Sequence, residues 1–381
     1  MSVKKNFLYS SVLTISNYLF PLLTYPYVSR ILGVENIGIC NFVDSIISYY
    51  VLFSSLGISM VGIREISGAR NDKKELDSRF SSLILFNLIT TCIAVVVLII
   101  SIYVIPRFYE FKELMWIGVV KLVGNFLLID WFFKGIENFK YITNRTILVK
   151  LGYVISVFVL VKEPSDYCTY FLLTCLMIAV NSLFNLLYSR KFVSINVKQI
   201  ELKRLIKPML TIGFYNILTS MYTTFNVMYL GLVSTSREVG YYTTATKLHS
   251  IILAFFTAFT GVMIPRMSFL FSEGDMENFK QMIGKSLNAL FAFIFPVLCM
   301  TIIFVPDIIS VLSGPGYEGA FLPARIIMPL LLVIGVNQIS ILQVMTPMKA
   351  DKYISRNSFI GALVGVIMNV TIVPYLGSVG S

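Results

Sequence analysis

The sequence predicts an all-α, polytopic membrane protein made of two pseudo-symmetric bundles of transmembrane helices. Hydrophobic residues make up 56% of the chain and charged residues only 13%, whereas soluble domains carry about 25% charged residues. Long apolar runs recur along the whole chain, and short basic segments separate them. Runs of 18 or more apolar residues are long enough to cross roughly 30 Å of hydrocarbon as a helix. A soluble globular fold is therefore excluded.

Eleven apolar runs are the predicted spans. They cover residues 7–29, 39–62, 80–105, 114–134, 143–161, 167–189, 209–232, 241–264, 286–305, 326–348 and 357–374. The first run follows two lysines, as in a signal peptide, but it is too long and lacks a small-x-small cleavage site. We therefore expect it to remain as a span. An odd number of spans suggests that a twelfth helix is missing, and a genuine eleven-span protein is the alternative.

The basic residues predict the orientation of the chain. If the N-terminus is cytoplasmic, 22 of the 31 Lys and Arg residues fall in inner segments, 6 in outer segments and 3 within runs. This bias follows the positive-inside rule, and it also favours attraction to anionic lipids of the inner leaflet. The net charge of +11 therefore indicates membrane topology, and nucleic acid is not an expected partner.

The two halves of the chain resemble each other. We predict an N-terminal six-helix bundle at 1–195, a cytoplasmic basic linker at 196–207, and an incomplete C-terminal bundle of five spans at 208–381. Aligning Gly38 with Gly240 places Asn41, Ser45 and Ser48 opposite Thr243, Lys247 and Ser250. The leading helix of each half also carries polar residues along one face. These stripes consist of Ser10, Thr14, Asn17, Pro21 and Thr24 in span one, and of Asn216, Thr219, Thr223 and Asn226 in span seven.

Such stripes should face protein or a wet cavity, because lipid offers them no hydrogen-bond partners. Polar residues can simply hold helices together, but matching stripes in both halves favour a cavity between two lobes, as in transporters built from repeats. Asn17, Asn216 and Asn226 are therefore candidate binding residues. Pro21 and Pro26 predict a bend near the outer end of the first helix.

Charged side chains within the runs are further candidates, since burying a charge in a membrane is costly. Lys121, Lys247 and Asp44 lie at similar depth, and with Arg30 the two lysines could line a cationic cavity for an anionic substrate. The alternative is that one lysine pairs with Asp44. Asp130 has either a transport role or a local ion pair with Lys134 at i+4. We expect Lys150 to extend to the inner headgroups.

The sequence lacks the usual motifs of nucleotide binding, metal binding and enzymatic catalysis. The sequence has no Gly-rich nucleotide loop ending in Lys-Ser or Lys-Thr, and the single histidine, His249, cannot form a metal cluster. The acidic clusters lie among lysines in short inner loops, where they are expected to be solvated. We therefore predict no enzymatic activity, no metal and no cofactor.

Six segments together resemble the polysaccharide repeat-unit (O-antigen) flippases, a family of the multidrug, oligosaccharidyl-lipid and polysaccharide exporter superfamily. The segments are YPYVSRILGVENIG at 25–38, GI at 57–58, GIRE at 62–65, DWFFKGIENFKY at 130–141, VGYYTTATK at 239–247 and PRMS at 265–268. The resemblance implies a bacterial inner-membrane protein that moves undecaprenyl-diphosphate-linked oligosaccharide to the outer leaflet by alternating access. A polysaccharide polymerase and a chain-length regulator are the implied protein partners.

Carried onto this chain, the resemblance makes Arg30, Lys121 and Lys247 anion-binding candidates. It makes Asp44 and Asp130 candidates for gating or ion coupling. A multidrug or cation exporter of the same superfamily is the alternative, although such a pump would need buried acids more than buried lysines. A membrane glycosyltransferase or polymerase is a further alternative from a different class.

Overall fold

The computed structural model describes residues 3–195, 200–221, 224–348 and 350–381. These residues form helices, turns and short connections, and no β-strand occurs among them, so the predicted all-α class is confirmed. Eight helices in these ranges are long and apolar enough to cross a membrane. A ninth span results if the pair 318–327 and 330–345, bent by 41°, is taken as one. The protein is therefore polytopic, and the count of eleven spans stays a prediction.

The helices of the first part of the chain are α1 (Val3–Ser55), α2 (Ile58–Ala69), α3 (Lys73–Val104), α4 (Pro106–Glu110), α5 (Lys112–Leu127), α6 (Asp130–Gly135), α7 (Phe139–Leu160), α8 (Tyr167–Ser189) and α9 (Leu202–Ser220). Those of the second part are α10 (Phe225–Val233), α11 (Ser236–Ser272), α12 (Met276–Ser313), α13 (Phe321–Ile327), α14 (Leu330–Gln338) and α15 (Asp351–Leu376). A π-helical segment, Ile339–Met345, continues α14.

Helix α1 contains two predicted spans, and Gly33 divides them. Its φ of 73° and ψ of 170° interrupt the helical geometry, at a position where glycine avoids the strain of a positive φ. The helix continues through Pro21 and Pro26, and the break in its backbone lies at Gly33, between the first two spans. The bend predicted at the two prolines stays a prediction. Further along, Asp72 begins α3 by accepting hydrogen bonds from the backbone N–H groups of Lys74 and Glu75.

The first compact unit comprises residues 1–32 and 39–228, and its successive spans alternate in direction. Residues 3–32 run parallel to α7, and α7 runs antiparallel to α8. Residues 39–69 run parallel to α5 and α6 but antiparallel to α3 and α9. The contacts that fix these directions are Tyr9–Thr143, Tyr27–Val161, Tyr141–Phe184, Tyr153–Thr174, Ser48–Lys121, Gly62–Trp131, Tyr50–Ser101, Ser54–Thr90, Tyr49–Ser220 and Leu56–Asn216. This alternation is what consecutive membrane spans require.

The core of this unit lies where α2, α3 and α6 meet. Trp131, Phe132 and Phe133 are buried there, and Gly62 makes room for the indole ring, because a Cβ at Gly62 would lie 2.7 Å from a Trp131 ring carbon. Two of the motifs that carry the family resemblance, at 62–65 and 130–141, thus meet as packing partners.

A cluster of charges joins the ends of α2, α3 and α9 in the same unit. The Glu65 carboxylate, which is 9% exposed, lies 2.9 Å from Arg79 and 3.3 Å from Arg204. Arg64 approaches the same carboxylate to 3.6 Å. This cluster lies at the end of the spans that the basic residues predict to be cytoplasmic.

The second compact unit comprises residues 33–38 and 229–381. In it α11 and α12 form an antiparallel pair, joined beside Phe271 and Phe279, and α12 runs antiparallel to α13 and α14, with Arg325 donating to the carbonyl of Ile302. The predicted boundaries 1–195, 196–207 and 208–381 rest on repeat and charge patterns and stay predictions.

Gly38 and Gly240, which the sequence alignment of the two halves matches, are in contact in this unit. A Cβ on Gly38 would clash with the carbonyl of Ser236 and lie 2.9 Å from the nitrogen of Gly240, and a Cβ on Gly240 would clash with the carbonyl of Val34. Each glycine therefore meets the carbonyl four residues before the other, which is the reciprocity of a twofold-related contact.

The same alignment matches Glu35 with Arg237, whose charged groups lie 3.7 Å apart. Residues that the alignment treats as equivalent thus contact each other around Gly38 and Gly240. The contact has a local pseudo-twofold symmetry.

Candidate functional site

Lys121 is held by groups from a neighbouring helix. Its ammonium nitrogen lies 2.6 Å from Asp44 Oδ1 and 3.1 Å from Ser48 Oγ. Gly118, one turn earlier in α5, permits this approach, since a Cβ there would lie 2.5 Å from the Ile47 side chain. The Lys121 side chain is 12% exposed and that of Asp44 is 38% exposed. The alternative that Lys121 pairs with Asp44 is therefore confirmed, and a role in binding substrate stays a prediction.

Asp130 belongs to a second polar network. Its Oδ1 accepts hydrogen bonds from Arg145 Nη1 at 3.0 Å and from Asn185 Nδ2 at 2.8 Å. Arg145 also donates to the amide oxygen of Asn185 and to Thr146 Oγ1, and its side chain is only 5% exposed. The alternative of a local ion pair with Lys134 is wrong, because Asp130 pairs instead with Arg145 of α7 and bonds to Asn185 of α8. The planar guanidinium of Arg145 reaches both partners at once.

A cavity of about 190 Å³ lies beside Asp130. Its polar lining consists of Ser55, Ser59, Asn87, Asn125, Asp130 and Lys134. A cavity of this size and polarity can hold several water molecules. The acid nearest the predicted inner edge is thus both paired with a guanidinium and adjacent to a polar space.

Part of the polar stripe on α1 serves to hold helices together. Asn17 Oδ1 accepts a hydrogen bond from Lys150 Nζ at 2.5 Å, and Ser16 Oγ lies 3.4 Å from the same nitrogen. Thr14 and Thr24 bond to carbonyls of their own helix. Lys150 thus has a hydrogen-bond partner on α1, and its extension to the inner headgroups stays a prediction.

The stripe in span seven contacts the break between α1 and α2. Asn216 Nδ2 donates to the carbonyl of Leu56 at 3.1 Å, and Leu56 has a φ of 39°. The amide thus satisfies a backbone acceptor that the break leaves exposed. Asn226 is half-buried in α10, and Thr223 lies outside the described residues.

Arg30 and Lys247 complete the predicted site. Arg30 is exposed near the end of the first segment of α1, whereas Lys247 is half-buried in α11. Arg30 and Lys121 belong to the first compact unit and Lys247 to the second. A cationic cavity shared by the three stays a prediction.

Arg145 and Asn185 were missed in the sequence. Arg145 lies in the predicted run 143–161, so its position inside an apolar run was a signal, although the residue was assigned to the inner loop. Asn185 lies within the run 167–189 and offered a similar signal. No spacing in the sequence joins these residues to Asp130, because they come from three different helices.

Helices of membrane-spanning length that alternate in direction and carry paired charges among their apolar side chains define a multi-pass membrane protein. Residues 3–271 match the family described as "Polysaccharide biosynthesis protein", and the chain belongs to this family. The resemblance noted in the sequence is thereby confirmed.

Two curated relatives match nearly the whole chain. A "Putative O-antigen transporter" of Escherichia coli (strain K12) is 26% identical over 380 residues, which cover 97% of this chain and 89% of the relative. A protein of the same description from Shigella dysenteriae is 25% identical over 386 residues, which cover 99% of this chain and 95% of the relative.

The fold is also that of solved membrane transporters. A structure described as the inward-facing conformation of a multidrug resistance MATE family transporter of the MOP superfamily superposes with a TM-score of 0.69 at 15% identity, covering 95% of this chain and 88% of the other. A MATE structure in complex with MaD3S gives a TM-score of 0.58 at 16% identity, with coverage of 99% and 90%. At these identities the likeness shows the fold alone.

Proposed function

We propose that the protein is a transporter that moves a lipid-linked oligosaccharide, the precursor of an O-antigen or capsular polysaccharide, across the bacterial inner membrane. The family, the names of the two curated relatives and the transporter fold support a polysaccharide-precursor transporter. The lipid-linked substrate, its passage from the cytoplasmic to the periplasmic leaflet and the cytoplasmic N-terminus belong to the proposal. So do a polysaccharide polymerase and a chain-length regulator as partners.

The balance of charge within the apolar runs carries this proposal. Their acidic residues are Asp44 and Asp130, and each is bonded to a basic side chain of another helix. Three lysines within the runs, Lys121, Lys150 and Lys247, already outnumber these acids. Arg145, which the charge count assigned to an inner segment, adds a fourth basic residue. A net positive interior favours an anionic ligand such as a diphosphate. An exporter of cations needs carboxylates that can receive a cation, so this alternative is the weaker one.

The proposed mechanism divides the substrate among three environments. The diphosphate binds basic side chains, the sugar contacts polar side chains, and the polyprenyl tail stays in the bilayer. The diphosphate ligands are Arg30, Lys121 and Lys247, and the sugar ligands are Asn17, Asn216 and Asn226. Alternating access then carries the headgroup from one leaflet to the other.

Asp44 has a specific part in this mechanism. Because its carboxylate holds the Lys121 ammonium at 2.6 Å, an incoming phosphate must compete with it for the same cation. Exchange of carboxylate for phosphate would couple substrate binding to the contact between α1 and α5. Asp130, which is held by Arg145, would act in the same unit as a gating or ion-coupling residue.

Cells test the proposal directly. A strain lacking the gene should lose surface polysaccharide and regain it with the wild-type protein, whereas Lys247→Gln and Lys121→Gln should restore much less at equal protein level. Lys285→Gln, which changes an exposed lysine of α12 that contacts Gln281, is the matched control. Full restoration by both site variants would contradict the site. Altered drug sensitivity with normal polysaccharide would favour the multidrug exporter instead.

A further inference from the structure

A surface groove of about 620 Å³ lies between α7 and α8 in the first compact unit. The two helices are antiparallel, so the start of α7 and the end of α8 lie at the same end of the spans. The basic residues predict this end to be cytoplasmic. The residues that define the groove are Lys140, Asn144, Leu148, Phe184, Leu187 and Lys191.

The end of the groove nearest the helix termini is cationic and aromatic. Lys140 and Lys191 are both exposed, and the Lys191 ammonium lies 5.2 Å from the centroid of the Tyr188 ring. Tyr188 stacks on Tyr141 with centroids 4.0 Å apart and an interplanar angle of 16°. Tyrosines of this kind are enriched where a membrane protein meets the headgroup layer. The stacked pair thus forms a rigid wall between the two lysines.

The deeper part of the groove is apolar and exposed. Leu148, Phe184 and Leu187 are 65%, 43% and 50% exposed. Leu148 follows Lys140 by two helical turns, which places it about 12 Å deeper at 1.5 Å per residue. A charged rim above an apolar slot of this depth fits an amphiphile, whose phosphate would meet the lysines and whose acyl chain would lie along the leucines.

We propose that this groove binds an anionic glycerophospholipid of the inner leaflet, of the phosphatidylglycerol class. Basic pockets between transmembrane helices on the cytoplasmic side are where anionic headgroups bind. Arg145, in the wall of the groove, is already engaged by Asp130 and Asn185, so the exposed lysines are the residues that select the headgroup. A free phosphate would gain nothing from the apolar slot, which favours a lipid as the occupant. The site is separate from the residues proposed to bind the transported substrate.

The experiment measures lipid retention by native mass spectrometry of the purified full chain, released from nanodiscs of phosphatidylcholine that contain increasing phosphatidylglycerol. The wild type should retain one phosphatidylglycerol in preference to phosphatidylcholine. Lys140→Gln/Lys191→Gln should weaken this preference about 30-fold, since each lysine near an anionic headgroup contributes about a factor of five. Lys140→Arg/Lys191→Arg should keep it, which separates loss of charge from misfolding.

The matched control is Lys280→Gln/Lys285→Gln, which removes two exposed lysines from the start of α12, outside the groove. Equal retention of phosphatidylglycerol by the groove variant and this control would overturn the proposal. Displacement of the bound lipid by undecaprenyl diphosphate at equal concentration would also overturn it, because the groove would then be a binding site for the transported substrate. Lipid retention and surface polysaccharide are compared in the Lys140→Gln/Lys191→Gln variant. Lost lipid preference with normal polysaccharide would support the lipid site independently of the proposed transport function. Unchanged lipid retention with lost polysaccharide would overturn the lipid site but leave the transport function standing.

Discussion

The pair of Lys121 and Asp44 allows a test that separates a structural role from a role in binding. Removing one partner leaves the other charged within the membrane. Breaking a fully buried pair costs about 3 to 5 kcal/mol. The pair is only partly buried, since Asp44 is 38% exposed, and we expect about 1 to 2 kcal/mol for Lys121→Met, which leaves the more exposed acid. Asp44→Leu should cost more, about 2 to 3 kcal/mol, because the ammonium it leaves is 12% exposed.

The double variant Lys121→Met/Asp44→Leu completes the cycle. Apolar replacement of a whole buried pair is often neutral, so the double variant should cost about 1 kcal/mol or less, which corresponds to a coupling energy of about 2 to 4 kcal/mol. The free energy of unfolding is measured by titration with sodium dodecyl sulfate in mixed micelles. Additive single effects, with no recovery, would refute the inferred pairing.

Surface polysaccharide measured in cells that carry the same variants gives the second readout. If Lys121 binds the diphosphate, the double variant should be stable but inactive. If the pair only holds α1 against α5, the double variant should be both stable and active. Full activity of the stable double variant would therefore show that Lys121 does not bind the substrate. It would not contradict the inferred pairing of Lys121 with Asp44.

Three further changes and one control substitution test the packing and the ion pairs. Gly240→Val should cost about 3 kcal/mol or more, because a Cβ there clashes with a carbonyl. The control is Gly261→Ala, whose Cβ would meet nothing within 4 Å. It should be neutral or stabilising in the same unfolding titration. Arg145→Met should cost about 2 to 3 kcal/mol, because Asp130, which is 28% exposed, loses its guanidinium partner and keeps the bond from Asn185. Equal stability of variant and wild type would contradict this. Glu65→Gln should cost about 1 to 3 kcal/mol, since it leaves neighbouring guanidinium groups without the carboxylate that separates their charges. It should also speed proteolysis at the ends of the spans. Unchanged proteolysis would show that the cluster is not stabilising.

The sequence predicted the positions of the apolar helices well because membrane helices leave a strong local signal. Apolar length and basic flanks act within single segments, and the structure places helices at each predicted run that it describes. The alignment matched Gly38 with Gly240 as equivalent positions of the two halves, but it did not predict that they touch. Their contact requires glycine because a close backbone crossing excludes a side chain at both positions.

The partners of the charged residues could not be predicted in the same way. Asp130 has Lys134 one turn away, but its bonds go to Arg145 and Asn185 on two other helices. Which residues meet across a bundle depends on helix rotation and on where a helix begins, and neither is encoded in local spacing. The bond between Lys150 and Asn17 was missed for the same reason.

The central claim is that the protein carries an anionic lipid-linked oligosaccharide across the membrane without changing it. The most direct measurement uses proteoliposomes containing the purified full chain and undecaprenyl-diphosphate oligosaccharide. It follows how much of the glycan can be oxidised by external periodate, which reaches the outer leaflet. We expect rapid exchange between leaflets relative to protein-free liposomes, slower exchange with Lys247→Gln, and a glycan of unchanged mass. A rate equal to that of protein-free liposomes, or a glycan of altered mass, would contradict the claim.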